Sequence, residues 1–306
     1  MRSLEHPLEG ARPAAPAPGR PALEPRRRSE AARAWRRFVR YRPGVAGLAV
    51  VVAIGLVAVF ANVLAPYSPL AINPGMRGAP PTAAHPLGFD HIGRDILSRL
   101  IYGSRVAILV ALLATAIAVT IGVAIGTVAG YAGGRVDAVL SRITDALMAF
   151  PILVLLIALV AVVGPSLANV ILVIGASVWA SYARVVRAEV LSLREQEFVI
   201  AARAVGATDR RVIWRHLVPN VIGPVIVLAT LSVGNIIILE AALSFLGLGV
   251  RPPTPDWGGM LADGRGYITI YPQIVIAPGV MIAATVLAFN LLGDGLRDAL
   301  DPRHID

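Results

Sequence analysis

Six apolar stretches, separated by short polar or Gly/Pro-rich breaks, set the pattern of this chain. They cover residues 44–64, 106–128, 147–163, 170–186, 221–239 and 274–292. The first holds about 20 apolar residues, enough for a helix to cross a hydrocarbon core of roughly 30 Å. Pro66, Pro69, Gly133, Gly134 and Pro165 punctuate the ends. Pro151 lies at the start of the third stretch, where it frees a backbone carbonyl and predicts a bend. The pattern predicts an all-α, polytopic membrane protein with six transmembrane helices over residues 43–306. Ahead of it, residues 1–42 are rich in Pro, Ala and Arg and show no apolar period, which predicts a disordered arm. The arm is too long, and the first apolar run too complete, for a cleaved signal peptide.

Composition agrees with this picture. Of 306 residues, 56% are apolar and 15% charged, whereas soluble domains lie at about 45–50% apolar. Cysteine is absent, which excludes a disulfide frame and a thiolate metal site. All 28 basic residues are arginines. Without a lysine the chain cannot carry an ordinary ATP-binding P-loop, so an ATP-driven process would need ATP on another subunit. If the N-terminus is cytoplasmic and all six stretches span, 22 of the arginines fall on the inner side. Only Arg77, Arg94, Arg99, Arg105, Arg251 and Arg265 fall outside. Arginine excess marks the cytoplasmic side, so both termini and the 187–219 loop are expected inside. The arginines that end the arm precede a span directly, which favours an anionic lipid surface over nucleic acid.

Within the stretches, no Asp, Glu, Arg or His sits at mid-depth; Asp145 and Glu240 lie near ends. That argues against an ion-coupled secondary carrier, which places ionisable groups there. Gly122, Gly126 and Gly130 repeat every four residues on the second stretch and form one smooth stripe for helix packing, either within the bundle or against a partner subunit. His85, Asp90, His91 and Asp95 crowd into one outer loop, where a hydrogen-bonded turn is expected rather than a metal site, since no His pair has helical i, i+4 spacing. Residues 96–104 are expected to form a short interfacial helix.

The longest polar segment after the arm is 187–219. Seven arginines from Arg184 to Arg215 face only Glu189, Glu195, Glu197 and Asp209. Residues 189–205 suit a helix that Gly206 ends in a left-handed turn. Thr208 or Asp209 can cap a second short helix to Leu217, with His216 and Pro219 closing the loop against the fifth span. Ala201, Ala202 and Ala207 offer little bulk, so another protein can come close, and the flanking arginines suit acidic groups. An ordinary amphipathic surface loop fits the same residues.

The run from Phe198 through Ile200, Ala201, Ala202, Arg203 and Gly206 to Ala207, followed by His216-Leu217-Val218-Pro219-Asn220, resembles the EAA loop of ABC importer permeases. The chain also carries His85-Pro86-Leu87-Gly88, Gly93-Arg94-Asp95, Gly130-Tyr131-Ala132-Gly133-Gly134, Leu243-Ser244-Phe245-Leu246-Gly247-Leu248-Gly249, Asp256-Trp257-Gly258 and a run from Asn290 to Asp298. Together they resemble the dipeptide/oligopeptide/nickel permease family, second (C-type) branch, over about residues 40–303. The resemblance implies a type I importer bundle in the bacterial cytoplasmic membrane, paired with a homologous permease as a heterodimer. It implies two ATPase subunits, which bind ATP and Mg, and an extracytoplasmic solute-binding protein. No residue of this chain would be catalytic, and no cofactor would bind it. Dipeptides, longer peptides, nickel complexes and glutathione all fit as solutes. In one departure, Ile200 replaces the glutamate that names the motif. Glu197 or Glu195 would then supply the carboxylate, or Ile200 would pack in the ATPase groove. A literal Glu-Ala-Ala at 240–242 falls at the opposite membrane face.

Overall fold

The computed structural model describes residues 30–300, which are almost wholly helical. The chain begins with α1 (Glu30–Arg40) and α2 (Arg42–Val59), which continues after a break at Phe60 into α3 (Ala61–Leu64). An irregular segment leads to α4 (Ile96–Ala132), then α5 (Gly134–Ala149), α6 (Ile152–Val163) and α7 (Leu167–Leu193). The loop helices α8 (Glu197–Ala204) and α9 (Asp209–Val212) precede α10 (Val218–Phe245), α11 (Trp257–Gly264) and α12 (Gln273–Leu300).

Four expectations need correction. The arm is helical from residue 30: Phe38 of α1 is buried against Leu292 and Ala299 of α12, a tertiary contact that composition does not reveal. Residues 1–29, the rest of the expected arm, lie outside the described residues. No separate interfacial helix covers 96–104, since Asp95 caps α4 at residue 96 by accepting from the Ser98 amide at 2.8 Å, and the helix runs unbroken for 37 residues, roughly 55 Å. The loop after Gly133 is the 16-residue helix α5. The third stretch is not one straight span. Leu147–Ala149 close α5, the chain turns at Phe150 and Pro151, and α6 leaves at 91°. At 12 residues α6 rises only about 18 Å. By length and composition, five helices among the described residues are long and apolar enough to cross a membrane, or six if the bent α5–α6 pair counts as one span.

The bundle is built on α4 against α7, and the glycine stripe is the reason. A Cβ at Gly122 would lie 2.9 Å from the Trp179 carbonyl, one at Gly126 2.8 Å from Val186 Cβ, and one at Gly130 2.9 Å from the Arg187 carbonyl. The three glycines therefore let the backbones of α4 and α7 approach more closely than any side chain allows. All three face into this chain's own bundle. A second close crossing sets α2 on α12, where Gly44 meets Gly295.

The end of the bundle away from the 187–219 loop is closed by polar bonds. Arg105 of α4 donates to the carbonyls of Ala58 (2.6 Å) and Val59 (3.0 Å), which the break at Phe60 leaves without helical partners. Trp257 donates its ring N–H to the Leu100 carbonyl at 3.0 Å and packs on Gly103. Arg94 bridges Asp90 (2.5 Å) and Asp263 (2.9 Å). In the His85–Asp95 loop, His85 pairs with Asp95 at 2.8 Å and stacks on Tyr67. No group of three metal-ligating side chains occurs among the described residues. Glu240 of the literal Glu-Ala-Ala is buried at this same far end and accepts from Ser244 at 2.9 Å.

Candidate functional site: the loop between α7 and α10

The loop opens where α7 ends at Leu193. Gln196 then turns the chain into α8, with its backbone accepting from Val199 and Ile200. Gly206, at φ +84°, ends α8 as the sequence predicts. The Gly206 amide donates to the Arg203 carbonyl (2.9 Å) and the Ala207 amide to the Ala202 carbonyl (3.0 Å), the paired bonds of a Schellman stop. No atom lies within 4 Å of a Cβ built at Gly206. The cost of Gly206→Ala is then the left-handed backbone alone, about 1 kcal/mol. We expect faster amide hydrogen exchange confined to residues around the turn; unchanged exchange there would refute a glycine-dependent stop.

The expected single helix over 189–205 is interrupted: residues 189–193 complete α7, and the chain breaks before α8. The second helix also differs from expectation. Thr208 makes no side-chain capping bond, α9 lasts one turn, and Ile213–Leu217 is a π-helical turn that runs straight into α10. The Asp209 carboxylate is drawn elsewhere and accepts from the Tyr131 hydroxyl at 2.5 Å. His216 is half-buried, with its ring 6.3 Å from that of Phe198, and Pro219 is exposed in the first turn of α10, directly after the π turn.

A small apolar core fastens the loop to the bundle. Val199 of α8, Val212 of α9 and Leu217 are fully buried against Val186, Val190 and Val221, with Ala207 alongside. Around this core the end of α4 supplies polar anchors. Arg194 donates to the Gly130 carbonyl at 3.0 Å, and Arg203 lies over the Tyr131 ring at 5.0 Å. About two turns back along α7, Arg187 pairs with Asp137 of α5 through both carboxylate oxygens. The sequence reading gave no role to Tyr131, Asp137 and the buried Val199, Val212 and Leu217. Their one visible signal was the aromatic inside the Gly130–Gly134 motif.

With its inner face spent on the bundle, the loop turns a mixed face outward. Phe198 is 43% exposed, Ile200 54%, Val205 85% and Trp214 65%. Ala201 is exposed among them and Ala202 half-buried. Arg203, Arg210, Arg211 and Arg215 surround the patch. Glu195 is exposed and held by Arg194 at 3.0 Å, and Glu197 is exposed in the first turn of α8. Ile200, in the glutamate's place, is a second exposed apolar side chain of α8, on the other side of the buried Val199 from Phe198. A loop ridge of exposed large apolar groups with arginines among them is the kind of surface that suits a protein partner.

Residues 122–306 match the binding-protein-dependent transport system inner membrane component family, and residues 29–81 match the N-terminal TM domain of oligopeptide transport permease C. The chain is 42% identical over 270 residues to the dipeptide transport system permease protein DppC of Alkalihalophilus pseudofirmus, covering 88% of this chain and 89% of that one. It is also 42% identical over 275 residues to the glutathione transport system permease protein GsiD of Escherichia coli, with the same coverage. A chain of the MetNI methionine ABC transporter, solved in inward-facing conformations, superposes with a TM-score of 0.54 over 66% of this chain and 96% of its own length. At 18% identity that likeness is one of fold. The chain thus belongs to the binding-protein-dependent transport system inner membrane component family, as an ABC importer permease of its peptide branch.

Proposed function

We propose that this chain is one of two homologous permease subunits of an ATP-driven importer of dipeptides or longer peptides, and forms half of its translocation path. An extracytoplasmic binding protein delivers the solute. Two ATPase subunits bind ATP with its magnesium, and their closure pushes on α8, α9 and the π turn. The observation that carries this reading is the loop's two-sidedness: Val199, Val212 and Leu217 are locked into the bundle while Phe198, Ile200 and Trp214 stand exposed. A force applied to the ridge passes directly to α7 and α10. The chain crosses the bacterial cytoplasmic membrane with both termini and the loop inside, in line with the arginine distribution. The arginine-rich segment ahead of α2, whose helix α1 packs on α12, is placed to meet anionic lipid.

The chain has no cysteine, so a single Gly206→Cys variant reports the loop's side cleanly. Modification by an impermeant thiol reagent is expected from the cytoplasmic side only; modification from outside would overturn the topology. For the solute, the reconstituted importer is expected to take up radiolabelled dialanine and trialanine with ATP and to stop without it. A second reading, glutathione, follows from the similarity to GsiD. Strong competition by glutathione with no competition by alanine peptides would favour it.

A further inference from the structure

The break between α5 and α6 forms one wall of a cavity of about 460 Å³ whose other walls are α7 and α10. Ser177 and Ser181 enter it from the middle of α7, and Ser232 and Asn235 from the middle of α10. Its lining contains no Asp, Glu, Arg or His. Ser177 returns its hydroxyl to the Val173 carbonyl at 2.7 Å. Tyr182 borders the cavity, but its hydroxyl is enclosed beside Ser232 and is not open to it.

The volume lies within the about 300–1,000 Å³ of small-molecule sites. Its depth, half-way along two spanning helices and beside a broken one, is where transported solutes are held in other carriers. The polar groups are neutral, and each serves as donor and acceptor, which matches an amide that also does both. A bare cation or a compact anion finds no charged partner here. The rest of the wall is apolar, with Phe150 at the break.

We propose that this cavity is a solute-contact subsite in which Ser232 and Asn235 hydrogen-bond the backbone amide of a short peptide while the apolar wall accepts its side chains. This rests on the peptide-importer reading and adds the groups that touch the peptide.

The test uses the whole purified importer carrying Ser181→Cys or Ser232→Cys in this naturally cysteine-free chain. Without ATP, a water-soluble maleimide is expected to modify both positions. Trialanine is expected to slow modification at least threefold, and free alanine, which has no peptide amide, is not. Ser232→Ala and Asn235→Leu are each expected to lower the trialanine uptake rate about fivefold, as loss of one hydrogen bond predicts. Positions that never react, equal protection by trialanine and alanine, or full uptake in both variants would each overturn the subsite. A wild-type importer that takes up no peptide removes the peptide reading itself. One that takes up trialanine while labelling ignores it removes only the subsite.

Discussion

Replacing Phe198 and Ile200 together by aspartate is expected to abolish ATP-driven uptake, at least tenfold, while the chain still inserts and folds. Both side chains point away from the bundle, and the intervening Val199 alone holds α8 to α7. The double change therefore leaves the loop's own core intact. If the ATPase partner covers these groups, each contributes about 1–2 kcal/mol of apolar stabilisation. Two buried, unpaired carboxylates in their place add a further penalty of several kcal/mol. A loss of about 3 kcal/mol already weakens an association more than a hundredfold. Co-purification with the ATPase subunits and uptake by proteoliposomes are the measurements. Retention of both would show that the ridge is not the docking surface. Ile200→Glu separates the two accounts of the departure from the EAA pattern. If apolar packing has replaced the carboxylate, it lowers coupled ATPase activity several-fold; if Glu197 or Glu195 serves instead, activity stays.

The larger effect on stability belongs to Gly126→Leu. Any Cβ at this position overlaps α7 at Ala183 and Val186, and both neighbours belong to a helix that cannot retreat. Ala183 is buried, and Val186 is fully enclosed in the core under the loop. Overpacking alone costs about 1–3 kcal/mol, and backbone displacement adds to it. Loss of a monodisperse chain in detergent, or a fall of many degrees in its unfolding temperature, is the expected result. Gly55→Ala is the matched control, since open space surrounds a Cβ there, and it should leave the unfolding temperature within a degree or two. Equal behaviour of the two variants would mean that close helix approach does not support the α4–α7 pair.

The candidate site was half legible. Gly206 could be placed as a helix stop because a left-handed residue is a local requirement that glycine meets alone. The alanine-rich helix before it was only half legible: 189–205 was expected as one helix, but residues 189–193 belong to α7 and the extended Gln196 breaks the chain before α8. By contrast, Asp209 was expected to serve as a cap and instead bonds Tyr131, 78 positions earlier. Nothing within a local window distinguishes those two uses of a carboxylate. The same holds for Phe38: its neighbours are mostly arginine and alanine, and only the distant Leu292 and Ala299 explain its burial.

The number of apolar crossings, the arginine asymmetry and the four-residue glycine repeat all follow from the order of residues, because each reflects a free energy of transfer or a backbone freedom that a residue carries with it. The 91° turn at Pro151 was foreseeable as a bend, but not as the loss of a straight span. That outcome depends on α5 lying across the bundle, held by the pairing of Asp137 with Arg187 from another helix. The unbroken length of α4, the footing of the loop on Tyr131 and the cavity between α5–α6, α7 and α10 belong to the same class. Each exists only where distant segments meet, so packing between helices, rather than the preference of any one of them, decided it.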